Sequence, residues 1–198
     1  MNVMRHASCV VIAILAWRGE AIPIDPVAKI EQTYQNTQTL QAEFVQSTFV
    51  RLTEKTLTRP GRIFYQRGGK LRIEYSGDKM THYITDGKTL WIKNPRSGDV
   101  EEYEIKNSGL PEEALKFLTE LGNLRTYFKV SMAKPTGGEV TFDLRPRKKT
   151  TYSHLLCNFD EKNYLKDLTI FSLSGNKSDY KFFNRKTGGT FPKKLFLP

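Results

Sequence analysis

Apolar and polar residues alternate with a period of two over most of the chain from Gln41 onward. "KLRIEY" shows it most cleanly, with Leu71, Ile73 and Tyr75 on one face and Arg72 and Glu74 on the other. Before it, "AEFVQSTFVRL" and "GRIFYQR" are rich in β-branched and aromatic residues, as strands require. After it, "HYITDGKTLWIKNP" sets two apolar runs around Asp86-Gly87, a pair that favours tight hairpin turns. In this hairpin Ile84, Leu90 and Ile92 are expected on one face, and Thr89, Trp91 and Lys93 on the other. "VEEYEI", "TYFKVSM", "EVTFDLRP", "SHLLCNFD", "LKDLTIFSL" and "SDYKFFN" continue the pattern, separated by turns such as "PTGG" and "SGNKS".

Two segments depart from this period. Asp25 and Pro26 make a good helix start, and Val27, Ile30 and Tyr34 recur at helical spacing, which predicts a helix over 26–36. "GLPEEALKFLTELGNL" predicts a second, with Leu115, Leu118 and Leu121 on one face and Gly122 ending it. About ten short strands joined by hairpin-length turns make an antiparallel sheet that must curl. Two amphipathic helices each need an apolar surface to cover. The expected architecture is therefore mainly β: an incomplete, half-open antiparallel β-barrel with two or three helices as a lid over an apolar cavity.

The first residues stand apart. Arg5 precedes the apolar run Ala7–Trp17, and Gly19 and Ala21 supply small residues where a signal peptidase reads. The expected division is a cleaved signal peptide at 1–21 and a single domain at 22–198. The formal charge is +10, and loss of two cations and one anion with the leader lowers it to +9. Such a surface attracts anionic head groups or acidic partners. Of the two cysteines, Cys9 leaves with the leader, and Cys157 in its apolar strand reads as a buried thiol.

Catalytic patterns are missing. His82 and His154 stand in no metal-ligand spacing, and the paired glycines 68–69, 137–138 and 188–189 read as turns, not phosphate cradles. The expectation is a protein that is not an enzyme, with no metal and no cofactor. What remains is apolar surface. A curved sheet of this size has more concave area than two short helices cover, which leaves room for an apolar ligand.

Several stretches resemble the LolA family of periplasmic outer-membrane lipoprotein carriers. Arg67-Gly68-Gly69-Lys70-Leu71-Arg72-Ile73-Glu74-Tyr75 is similar to the family's Arg-Pro turn and following strand. Thr85-Asp86-Gly87-Lys88-Thr89-Leu90-Trp91 is similar to its Asp-Gly-Lys hairpin. Phe44 and Gln46, "FDLRP" and "LKDLTIFSLSGNKSDYKFFN" match in order, so the likeness spans nearly all of 22–198. Two positions depart: Gly68 replaces the usual Pro, and Ile73 stands where Trp is common.

The resemblance implies a monomeric carrier working in the periplasm. It would take triacylated lipoproteins from an ATP-driven inner-membrane complex and deliver them to an outer-membrane acceptor. Transient contact with a membrane surface is expected, and nucleic acid is not. Cavity residues would be Phe44, Phe64, Leu71, Ile73, Tyr75, Ile84, Leu90, Ile92, Leu115 and Leu118. Arg67 would hold the lid through its backbone. The alternative is an envelope-stress sensor domain of the same fold that binds mislocalised lipoprotein or lipid.

Overall fold

The structure, a computed structural model, describes residues 25–77, 80–104, 117–118, 121–136 and 139–198. The expected signal peptide, and all of the second expected helix except Phe117, Leu118 and Leu121, lie outside the described residues.

Helix α1 (Pro26–Asn36) begins as its sequence dictates. The Asp25 carboxylate accepts from the Val27 N–H at 3.0 Å, and Pro26 occupies the first position. Val27, Ile30 and Tyr34 form its buried face.

Eleven strands form one sheet: β1 (Thr39–Val50), β2 (Lys55–Gln66), β3 (Lys70–Tyr75), β4 (Thr81–Thr85), β5 (Thr89–Lys93), β6 (Val100–Glu104), β7 (Phe128–Thr136), β8 (Glu139–Pro146), β9 (Tyr152–Phe159), β10 (Leu165–Ser172) and β11 (Lys177–Thr187). Their order is β6-β5-β4-β3-β2-β1-β11-β10-β9-β8-β7, with every pairing antiparallel. The last strand thus closes against the first in the middle of the sheet. Among the described residues β6 and β7 are the two edges and do not pair, so the barrel stays open. Among the described residues the count is eleven where about ten were expected.

β2 starts earlier than its sequence suggests and runs through Pro60. The Pro60 carbonyl accepts from Ser76 N, just where β3 ends at Tyr75. A residue's N and O point to the same side of an antiparallel strand. The missing N–H therefore points to where β3 has stopped, and no ladder bond to β1 is lost.

The expected end of the second helix at Gly122 cannot be followed back, since residues 119–120 lie outside the described ones. A 3-10 turn over Leu121–Asn123 leads directly into a short helix α2 (Leu124–Tyr127). Gly122 lies close to α1: its carbonyl accepts from the Gln35 side chain at 2.6 Å, and a Cβ there would lie 3.2 Å from Gln35 Cγ. β7 consequently starts at Phe128, not at Thr126.

The main core lies between the concave face of the sheet and α1. It joins Val27, Ile30 and Tyr34 to Leu40, Ala42, Phe44, Ile63, Leu71, Ile73, Tyr75 and Leu90, and to Phe117, Leu121 and Leu124. Phe44 is its centre, with ring centroids 5.3 Å from Tyr75 and 5.9 Å from both Tyr180 and Phe182. Gly61 opposite makes room for that ring: a Cβ there would fall 2.4 Å from Phe44 Cζ and 2.6 Å from the Glu74 carbonyl.

Candidate functional site

β1 and β2 pair Phe44 with Gly61, Ala42 with Ile63 and Leu40 with Tyr65. Even positions of β1 and odd positions of β2 therefore share the concave face. α1 crosses this face without filling it. A cavity of about 270 Å³ remains, walled by Leu40, Ala42, Ile63, Tyr65 and Leu71 of the sheet, by Tyr34 of α1, and by Leu118 and Leu121. Leu165 and Phe182 complete the apolar wall.

A bulge shapes the other side. Leu40 pairs with Thr187 and Phe44 with Phe182, so β11 carries one more residue than β1 across this interval. Asn184 takes the left-handed conformation, φ 50°, and its amide donates to Glu43 at 2.9 Å. The extra residue reverses the alternation. Phe182 and Arg185 consequently both reach the cavity.

Arg185 forms an ion pair with Asp160 and lies over the Tyr164 ring, 4.2 Å from its centroid. Asp160 also accepts from the N–H groups of Lys162 at 2.9 Å and Tyr164 at 3.0 Å. Burial pushes its carboxyl up, but the Tyr164 N–H and the Arg185 guanidinium outweigh this and hold it below the usual range. Tyr34 is fixed beside the pair: its hydroxyl accepts from Leu165 N at 2.9 Å, and burial pushes its phenol well up. Beyond the pair lies a wider, more open space of about 640 Å³, against Ile30, Phe142 and Phe159. Asp160, Lys166 and Arg185 border both spaces.

The expected cavity residues divide into groups. Leu71 and Leu118 line the cavity. Phe44, Ile73, Tyr75 and Leu90 belong to the packed core on the same face. Ile92 pairs with Tyr83, and Tyr83 with Ile73, which puts it half-buried toward the rim of that face. Leu115 lies outside the described residues.

Phe64 and Ile84 are not on the cavity face. Phe64 neighbours Ile63 and Tyr65 on β2 and so points the other way, meeting Phe191 at 5.9 Å. Ile84 pairs with Arg72 and Trp91, while Thr85 takes the inward place opposite Leu71 and Leu90. The hairpin pairs even positions with odd ones, so Ile84 and Leu90 fall on opposite faces. Trp91 is also on the convex face, with its indole N–H donating to Glu102 at 3.1 Å.

Arg67 is not in a strand. β2 ends at Gln66, and Arg67 lies exposed in the turn with Gly68 and Gly69, its N–H donating to the Gln38 carbonyl at 2.8 Å. Its charge is felt by the phenol of Tyr65 on the cavity wall: burial raises that group and Arg67 opposes the rise. The turn packs on the Asp86-Gly87 hairpin; a Cβ on Gly87, φ +99°, would meet the Gly68 carbonyl at 2.7 Å. The flexible glycine in place of proline thus belongs to a contact between two turns.

Tyr34, Leu40, Ala42, Ile63, Tyr65, Phe182 and the Asp160–Arg185 pair were missed from the sequence. Leu40 and Ala42 share the parity of Phe44, a signal that was there to use. No signal announced Arg185, because its direction depends on the bulge.

A family model described as outer membrane lipoprotein carrier protein LolA matches residues 35–198. An outer-membrane lipoprotein carrier protein of Coxiella burnetii is 25% identical over 174 residues, covering 87% of this chain and 82% of that one. One of Chromobacterium violaceum is 24% identical over 185 residues, covering 93% and 88%. The crystal structure of a LolA superfamily protein from Nitrosomonas europaea superposes with a TM-score of 0.51 at 9% identity, covering 87% of this chain and 96% of that one. That likeness shows a shared fold.

Proposed function

The chain belongs to the LolA family of outer membrane lipoprotein carriers, and we propose that its concave cavity takes the acyl chains of its lipoprotein cargo. The family consists of carriers, not enzymes, and is typically periplasmic. On this reading the chain loses a leader at 1–21, works in the periplasm, and moves triacylated lipoproteins from an inner-membrane ATP-driven complex to an outer-membrane acceptor.

The observation that carries the proposal is the unfilled space beneath α1, walled on the sheet side by Leu40, Ala42, Ile63 and Leu71. An acyl chain of about sixteen carbons exposed to water costs about 0.8 kcal/mol per CH₂. Uncovered cargo would not leave a bilayer, so a carrier must shield it. The cavity, about 270 Å³, has room for only a length of acyl chain. That is part of one chain. Full loading therefore requires the cavity to widen. The Asp160–Arg185 pair divides it from the 640 Å³ space beyond. Cargo that displaces this pair gains one continuous groove. On the same reading Arg67, whose charge reaches the Tyr65 phenol on the cavity wall, would hold the lid.

Adjacent residues on opposite faces provide the test. A photoreactive benzoylphenylalanine at Tyr65 should cross-link to acylated protein in cells, and the same group at Phe64 should not. Equal cross-linking from both sites, or none from Tyr65, would overturn the cavity as the cargo site.

A further inference from the structure

Far from the cavity, three turns meet at the opposite end of β1 and β2. Leu40 to Val50 spans about 33 Å at about 3.3 Å per residue. The β1–β2 turn, Arg51 to Glu54, is tied to the β10–β11 turn: Arg51 N donates to the Asn176 side chain at 3.0 Å. Gly175 has no side chain where the Arg51 stem lies; a Cβ there would meet Arg51 Cδ at 2.4 Å. The β10–β11 turn is tied in turn to the β8–β9 loop, with Leu173 N donating to the Thr151 carbonyl at 2.8 Å. The three form one tip.

This tip exposes large apolar side chains that the core could have used. Leu52 is 93% exposed at its end, Leu173 67% and Leu57 56%. Phe49 and Leu57 lie on opposite faces of the β1–β2 ribbon by their parity, and Phe49 is exposed as well. A ribbon that is apolar on both faces and at its end suits insertion, since a flat protein interface would use one face only. Around it are exposed Arg51, Lys55, Lys148 and Lys149. Opposing them are Glu54, in the turn itself, and Asp179, which is paired with Lys177 at 2.9 Å. Cations dominate the collar.

We propose that this tip is a docking site for an anionic lipid bilayer, with Leu52 and Leu173 entering the acyl boundary and the collar contacting acidic head groups. Apolar insertion and basic side chains next to acidic lipid reinforce each other at an interface. The tip and the cavity occupy opposite ends of the ribbon. Docking is therefore separate from cargo binding. It confines the carrier to the membrane surface with its cavity end free.

The test is flotation of the purified protein with vesicles of equal parts phosphatidylcholine and phosphatidylglycerol, and with phosphatidylcholine alone. Binding is expected to the first, to weaken as salt rises, and to fall by about tenfold or more in the Leu52→Glu/Leu173→Glu double variant. Both positions are exposed, so the variant should fold and keep wild-type acyl binding. A dye on Leu52→Cys should shift to the blue on adding anionic vesicles, with Cys157 too buried to label. Absence of vesicle binding, or binding unchanged in the double variant, would overturn the proposal.

Discussion

The two faces of the sheet bury apolar residues in different ways. On the concave side, α1 with Phe117, Leu118, Leu121 and Leu124 covers the sheet but leaves a cavity beside Ala42 and Leu71. On the convex side, the C-terminal segment closes down. Phe191 meets Phe64 at 5.9 Å and Phe196 at 6.0 Å, and the Leu195 carbonyl accepts from Arg72 at 3.2 Å. Ile84, the cross-strand neighbour of Arg72, is fully buried there. A filled face contributes stability; an unfilled one keeps room for a ligand. The same strands supply both, because alternate residues point to opposite sides.

Substitutions on each face should separate these roles. The largest effect on stability is expected from Ile84→Ala, which deletes buried volume on the filled face and should cost about 2–5 kcal/mol in denaturant unfolding. Acyl binding by the folded fraction should stay at wild type. Ala42→Leu adds bulk to the cavity wall. The added side chain enters unfilled space, so stability should change less than in Ile84→Ala, and the lost space should cut acyl binding sharply in a fluorescent fatty-acid titration.

Asp160→Asn removes the charge opposite Arg185 and keeps an oxygen for the Lys162 and Tyr164 N–H groups. A loss of about 1 kcal/mol is expected, from weakening one charge-assisted hydrogen bond. Because the folded Asp160 carboxyl lies below the ordinary value of 3.8, its contribution is present above that pH and is lost as pH falls through the folded value. The variant should lack that acid-side loss.

The smallest effect concerns His82 on the convex face. Its Nδ1 faces an Arg72 guanidinium nitrogen at 3.0 Å, so the neutral ring accepts. Burial first, with the nearby cations, lowers it from 6.5, while Glu74 opposes the shift. Stability from this group is complete above pH 6.5 and declines as pH falls through the folded value. Thermal melts of His82→Gln should show a shallower decline on the acid side.

The strands, the first helix and the open antiparallel sheet were readable because their patterns are local. "KLRIEY" tells its faces from six residues, and β3 pairs as that alternation requires. Register between strands is less local. Ile84 was assigned to the cavity by counting from Leu90 across the hairpin, but the turn pairs Thr85 with Leu90. A threonine takes the inward place because its hydroxyl accepts from Gly87 N at 2.9 Å and so belongs to the turn. Phe64 was misplaced for a related reason: the inward places opposite β1 go to Gly61, Ile63 and Tyr65, since Phe44 needs the space over a glycine. Arg185 depended on one left-handed asparagine, which no alternation reveals.

The most direct measurement of the central claim is binding of a fluorescent long-chain fatty acid to the wild type, Ala42→Leu and Ile84→Ala at a temperature where all three are folded. Wild type and Ile84→Ala should bind alike, and Ala42→Leu should bind far more weakly. Undiminished binding by Ala42→Leu would contradict the claim that the concave cavity holds the acyl chain.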